Sequence, residues 1–396
     1  MHTELPEPSP EALAHSHRLV ALLHERIVDA GGWLSFRDYM KAALYEPGLG
    51  YYSAGATKFG AAGDFVTAPE LSPLFSQCLA SQIAAVLAQL DDVDGNGDVL
   101  ELGAGSGRMA ADMLSEFAAL DALPDRYLIL EPSADLRERQ QRTLSALPTT
   151  LRERVRWLDA LPAEPLRGVI VGNEVVDALP VQRFVMDDGA VGEVGVSSED
   201  GTLSLTARPA DAALRDHVAQ LGVTAQSDYV SEVRRELAPW LEGLADSLAA
   251  GAIMFLDYGY SRREYYLPER STGTLRCYYR HRAHDDALLW PGLQDITAWV
   301  DFTALAEAAT AVGLDVAGYT TQAQFLLSSG IDQRADAVLG GSLDGEIEPQ
   351  AQVSVARALR QLMLPGEMGE TVKVMLLARG VSAPAGFGGR DMRSSL

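Results

Sequence analysis

Cysteine is scarce in this 396-residue chain, and the two present, Cys78 and Cys277, stand far apart with no His or Cys at zinc-ligand or redox-pair spacing. That scarcity predicts neither a disulfide framework nor a metal site. Basic charge is also in short supply, since 32 Lys and Arg against 55 Asp and Glu leave a formal charge of −23. Such a field repels a phosphate backbone and attracts a basic segment, so the expected macromolecular partner is a protein and not nucleic acid. The opening MHTELPEPSPEALAHSH lacks the basic and then apolar run of a targeting peptide, and the chain reads as a cytoplasmic protein. Long uncharged stretches are absent except at residues 72–90. There Leu74, Phe75, Cys78, Leu79, Ile83, Val86, Leu87 and Leu90 recur at helical spacing among Ser and Gln, which predicts an amphipathic core helix and no membrane span. No repeat of solenoid period occurs.

What is present is the composition of a folded α/β protein: 47% hydrophobic, 22% charged and 7% aromatic residues. After a tail over 1–10, apolar positions Leu19, Leu22, Leu23, Ile27 and Val28 predict a helix over 11–30, stopped by Gly31-Gly32. A shorter helix is expected over 35–44. The following Gly-, Pro- and Tyr-rich stretch to residue 70 has no period, and 11–97 as a whole reads as an N-terminal helical cap with a lid. From residue 98, apolar runs alternate with helical stretches, the mark of βαβ units on a parallel sheet. Strands are expected at 99–102, 127–131, 155–159, 169–172, 252–260, 314–319 and 371–378. The core then occupies 98–181 and 251–380. Between them, 182–250 reads as an inserted lobe, opened by an antiparallel hairpin or meander at the Asp188-Gly189 and Asp200-Gly201 turn signals. Residues 381–396 read as a disordered tail.

The sharpest motif is Glu101-Leu102-Gly103-Ala104-Gly105-Ser106-Gly107, set between a predicted strand and a predicted helix. Glycines there permit tight turns and bring a ligand onto the main chain, at a helix N-terminus with free N–H groups. A dinucleotide fingerprint requires Gly or Ala where this chain has Arg108, and Glu101 beside the loop would repel a pyrophosphate. The cationic amino end of S-adenosylmethionine is attracted instead. Glu131, ending the second strand, is placed to accept both ribose hydroxyls, and Asp159, ending the third, to meet the adenine amino group. Ala104, Pro132, Ser133, Ala160 and Asn173 complete the expected cofactor rim.

Methyl transfer from a sulfonium needs alignment of the acceptor and no protein nucleophile. The acceptor is expected beyond the fourth strand, in Asn173-Glu174-Val175-Val176-Asp177. Glu174 and Asp177 are the catalytic candidates: carboxylates suit a guanidinium, and a helical turn would bring residues three apart to one side. The bland alternative is that Asn173 or Asp177 caps a helix starting there. Gly63, Asp64, Phe65, Thr67 and Glu70 are assigned to a lid, with Thr67 and Glu70 also at capping-box spacing, and Tyr258 to the acceptor channel.

With these residues placed, the chain resembles the MidA-like methyltransferase family, bacterial relatives of the mitochondrial complex I assembly methyltransferase. The resemblance rests on YMKAALYEPGLGYY (39–52), GDFVTAPELSPLF (63–75), ELGAGSGRMAAD (101–112), EPSADLRERQ (131–140), NEVVDALPV (173–181), DYGY (257–260), GTLRCYYRH (273–281) and QDITAWVDF (294–302). It implies a seven-strand Rossmann-like class I methyltransferase sheet with N-terminal helices and added elements, and S-adenosylmethionine as cofactor. The family's cofactor loop falls on Gly103, Gly105 and Gly107 and its ribose acid on Glu131, while Ala104 and Ser106 stand where Pro and Arg are usual. The implied activity is symmetric dimethylation of an arginine in a complex I core subunit or similar protein. A non-catalytic assembly factor and a small-molecule methyltransferase are the rival readings. Monomer and homodimer are both open.

Overall fold

The computed structural model describes residues 5–53, 67–90, 95–223, 228–340 and 349–396. The chain forms two compact units, one from residues 67–176, 238–260 and 302–396, the other from 1–66, 177–237 and 261–301.

Among the described residues the first unit is built on seven strands: β1 (Asp98–Leu102), β2 (Arg126–Leu130), β3 (Val155–Leu158), β4 (Leu166–Asn173), β5 (Leu248–Tyr260), β6 (Asp315–Thr321) and β7 (Val372–Arg379). Their order is β3-β2-β1-β4-β5-β7-β6. β1 to β5 run parallel, and β7 lies antiparallel to both its neighbours. This is the expected Rossmann-like sheet. Parallel strands are covered on both faces, which is why Val99, Leu100, Val169, Ile170, Val171, Ile253 and Met254 are all fully buried. The chain steps outward from β1 to β3 and returns to β4, so the crevice at the carboxyl ends of β1 and β4 is a topological switch point.

Residues 73–90 are apolar and long enough to cross a membrane by length and composition. In the structure Leu74, Phe75, Cys78, Leu79, Ile83 and Val86 are buried in the core of this unit. The helix Pro73–Leu87 starts where the Ser72 hydroxyl accepts the Leu74 N–H at 3.3 Å, with Pro73 at its first position. The expected disordered tail at 381–396 is corrected: Phe387 is buried against Phe325 at 5.3 Å between ring centroids, and the Gly386 N–H donates to Gln82 Oε1 at 2.6 Å. The Gly- and Ser-rich composition concealed one apolar anchor.

In the second unit, helices Pro10–Asp29 and Phe36–Tyr45 are capped by the Ser9 and Ser35 hydroxyls. Strands Gln182–Asp187, Ala190–Glu199 and Thr202–Pro209 form the expected meander. Its two-residue turns are Asp188-Gly189, at φ +46° and +82°, and Asp200-Gly201, at φ +47° and +81°. Positive φ at both central residues matches the right-handed twist of the flanking strands. Tyr229–Val233 and a strand the sequence did not signal, Trp33–Ser35, complete this sheet. The grouping departs from the expected segments: residues 67–90 and 238–250 belong to the sheet unit, the latter through Trp240, 5.5 Å from Phe255, whereas 177–181 and 261–301, expected in the core, belong to the second unit.

Candidate functional site

The loop after β1 carries three glycines in left-handed conformation, Gly103 at φ +61°, Gly105 at +52° and Gly107 at +80°. Gly107 is the N-cap of the helix Arg108–Ala119. Its lack of a side chain is also a packing requirement, since a Cβ there would lie 3.0 Å from Gln140 Cα. Gly103 is exposed, so its main chain is open to a ligand. Ala104, by contrast, is buried.

The three acids on this rim have different environments. Glu101 is buried and accepts the Tyr127 hydroxyl at 2.6 Å. Burial pushes its carboxyl up to about 7, against the lowering effect of Tyr127 and with a further rise from nearby Glu131. Glu131 is also buried; its Oε1 accepts the Ser133 N–H at 3.0 Å and its Oε2 the Gln140 amide at 3.1 Å. Asp159 is exposed and pairs with Arg137 at 2.6 Å. Of the three, Asp159 alone faces solvent, while Glu101 and Glu131 are enclosed by the fold. Ser133 caps the helix Ala134–Leu144, and Pro132 and Ala160 are exposed beside it.

A carboxyl that keeps its proton to pH 7 when folded, but loses it near pH 4.5 when unfolded, makes unfolding release a proton between those values. Stability from Glu101 is then complete below about pH 4.5 and falls as pH rises toward 7, by about 3 kcal/mol. Urea denaturation of wild type and Glu101→Gln at pH 5 and pH 8 checks this. The expected result is a smaller decline in the variant, and equal declines would assign the proton elsewhere.

At the end of β4, Asn173 Nδ2 donates to Glu174 Oε1 at 3.2 Å. Glu174 has φ +51°, a left-handed conformation that costs a non-glycine residue about 1–2 kcal/mol. The expected helical turn through 174–177 does not form, and no helix starts there for Asn173 or Asp177 to cap. Neighbouring groups hold the strained backbone: the Glu174 N–H donates to Leu256 O at 2.8 Å, and the Val175 and Val176 N–H groups donate to Asp257 Oδ2 at 3.2 and 2.8 Å. Asp257 Oδ1 takes the Tyr258 N–H at 2.8 Å, and the half-buried Tyr258 ring packs on the core. This segment adjoins the glycine loop, since a Cβ at Gly103 would lie 3.5 Å from Val175 Cγ2.

Asp177 falls in the second unit. It is buried, and burial raises its carboxyl above the ordinary range against the pull of Arg234 and of backbone N–H groups. Its carbonyl accepts from Arg234 Nη2 at 3.0 Å and the Ala298 N–H at 3.1 Å.

Of the lid candidates, Gly63, Asp64 and Phe65 lie outside the described residues. Thr67 occupies the N-cap of Ala68–Leu71 without a side-chain cap bond, so the capping box is not formed. Glu70 instead accepts the Ser106 hydroxyl of the glycine loop. Sequence reasoning missed Tyr127, Gln140, Trp157 and Asp257. Only Asp257 left a signal, as the lone charge in the apolar run AIMFLDYGY.

Residues 78–320 match the sequence model of a family of S-adenosyl-L-methionine-dependent methyltransferases. A Burkholderia thailandensis protein crystallised with S-adenosyl-homocysteine is 44% identical, covers 99% of this chain and 100% of its own, and superposes with a TM-score of 0.93. The protein named mitochondrial protein arginine methyltransferase NDUFAF7 homolog in Caenorhabditis elegans is 28% identical over 96% of this chain and 92% of its own length. Its human counterpart is 27% identical over 87% and 79%.

Proposed function

The chain belongs to the MidA-like family of S-adenosylmethionine-dependent methyltransferases, and from that premise we propose that it methylates the guanidinium of an arginine in a protein substrate. The residues present fit the cofactor. The open main chain at Gly103 and the left-handed turns at Gly105 and Gly107 suit a ligand lying on the loop, and Glu131 supplies a carboxylate for ribose hydroxyls. When bound, S-adenosylmethionine supplies an electrophilic methyl group on a sulfonium sulfur.

The observation that carries the acceptor assignment is Glu174, a carboxylate on a main chain pinned in a strained conformation beside the glycine loop. Strain that surrounding bonds maintain is typical of residues whose side-chain direction matters. A fixed carboxylate orients a planar guanidinium through paired hydrogen bonds and draws its charge toward one side, which leaves the opposite nitrogen better able to attack. The names of the relatives support arginine as acceptor, and the net charge of −23 favours a basic segment. A complex I core subunit is our first candidate substrate, and symmetric dimethylation our expected product.

The test is transfer of a tritiated methyl group to that subunit, followed by hydrolysis and identification of the labelled residue. Label is expected in methylated arginine, and label in lysine or in a small molecule would remove the acceptor assignment. Glu174→Gln keeps an acceptor oxygen and loses the charge. Its transfer rate should fall about tenfold, equivalent to roughly 1.4 kcal/mol, with cofactor affinity within about twofold of wild type. An unchanged rate would take Glu174 out of the mechanism.

A further inference from the structure

We propose that Gln140 is the positioning residue of the ribose site, its amide tying the carboxylate of Glu131 to the glycine loop. The proposal rests on the cofactor assignment and not on which group accepts the methyl. Gln140 is fully buried on the helix Ala134–Leu144. Its amide makes three bonds: Nε2 donates to Gly105 O at 3.2 Å and to Glu131 Oε2 at 3.1 Å, and Oε1 accepts the Trp157 indole N–H at 2.8 Å. The chemistry allows one orientation only. An indole N–H can only donate, so it must face the amide oxygen, and the NH₂ group then faces two acceptors. Loop, ribose acid and β3 are thus joined through a single side chain.

Two further contacts place the loop on the same helix. Thr143 Oγ1 donates to Ser106 O at 2.7 Å, and the absence of a Cβ at Gly107 lets the main chain of Gln140 approach. These bonds hold the turns of the loop from outside it. The side chains that brace it come from a helix 30 to 40 residues further along the chain, together with Glu70 on Ser106.

The proposal separates two roles for Gln140, bracing and aiming. If it aims Glu131 at the ribose, its loss must weaken ligands that carry ribose hydroxyls more than ligands that lack them. Gln140→Met keeps the volume and removes every hydrogen bond of the amide. Calorimetric titration of the intact protein with S-adenosyl-homocysteine and with its 2′,3′-dideoxy analogue reads the difference. Affinity of the variant for S-adenosyl-homocysteine should fall about tenfold, the worth of one buried bond to a charged group, and for the analogue less than about threefold. Equal losses for both ligands, or no loss, would overturn the proposal. Gln140→Glu is the second variant, because it retains the acceptor for Trp157 and sets a carboxylate against Glu131. At high pH the two charges repel, and the repulsion raises the pKa of one so that it takes up a proton as pH falls and can donate to the other. Affinity of this variant should therefore recover as pH falls from 8 to 6, beyond any change in wild type, where Glu101 also titrates and Arg137 holds the main chain of Glu131. A pH profile parallel to wild type would overturn the proposal. Wild type that fails to bind S-adenosyl-homocysteine would remove the cofactor assignment itself, whereas binding by wild type with undiminished affinity in both variants would remove only the role of Gln140.

Discussion

Replacing Asp257 with alanine is expected to lower methyl transfer by at least about a hundredfold and to destabilise the fold by about 3 kcal/mol. The carboxylate is buried and accepts three main-chain N–H groups, those of Val175, Val176 and Tyr258. Each buried donor left without a partner costs about 1–3 kcal/mol, and the charge on the acceptor places these bonds toward the strong end. The activity loss has a separate cause. Glu174 holds φ +51° only because the residues on both sides of its peptide are anchored. Once Val175 and Val176 are released, the strain of about 1–2 kcal/mol drives the backbone to an ordinary conformation and turns the side chain away. Asparagine should be nearly as damaging, because it offers one acceptor oxygen where two are used. Transfer assays with thermal unfolding on Asp257→Ala and Asp257→Asn measure both effects. Activity within about threefold of wild type in either variant would show that Glu174 needs no such anchor.

Gly107→Val should abolish measurable cofactor binding, a loss of at least about a hundredfold in affinity, in a protein that still folds. The position has φ +80°, disfavoured for any residue with a side chain, and even the Cβ would meet Gln140 at 3.0 Å from Cα and 3.3 Å from Cβ. Backbone strain and overpacking each cost about 1–3 kcal/mol. The irregular loop yields more readily than a helix whose main chain is tied by its own hydrogen bonds, so the clash displaces Gly105 from Gln140 and opens the crevice. Calorimetric titration with S-adenosyl-homocysteine, with circular dichroism to confirm folding, is the check. Affinity within about fivefold of wild type would mean that the loop tolerates the shift and does not set the site.

Much of the sheet was legible because its strands are buried on both faces and separated by amphipathic helices, so period and length alone mark them. The Asp-Gly turns of the second unit were equally plain, since few residues accept positive φ. The glycine loop and Glu131 were found because a loop between a parallel strand and a helix has a known place on the sheet edge. The helical turn that was to join Glu174 with Asp177 was not borne out. Residue spacing does not disclose a left-handed residue that is held by bonds from a strand 80 residues away.

Local pattern was enough to mark the strand segments, the sheet edge that carries the glycine loop and the kind of ligand that suits it, because those follow from periodicity, chain handedness and the chemistry of a few adjacent residues, whereas the order of the strands and the position of the switch point come from the packed sheet. Tertiary structure alone decided which polar side chains work there. Gln140, Trp157, Tyr127 and Asp257 look in sequence like ordinary helix and strand residues, and each acquires its role from one partner distant in the chain. Such pairings depend on distances and angles of a few tenths of an ångström, which only the packed chain sets.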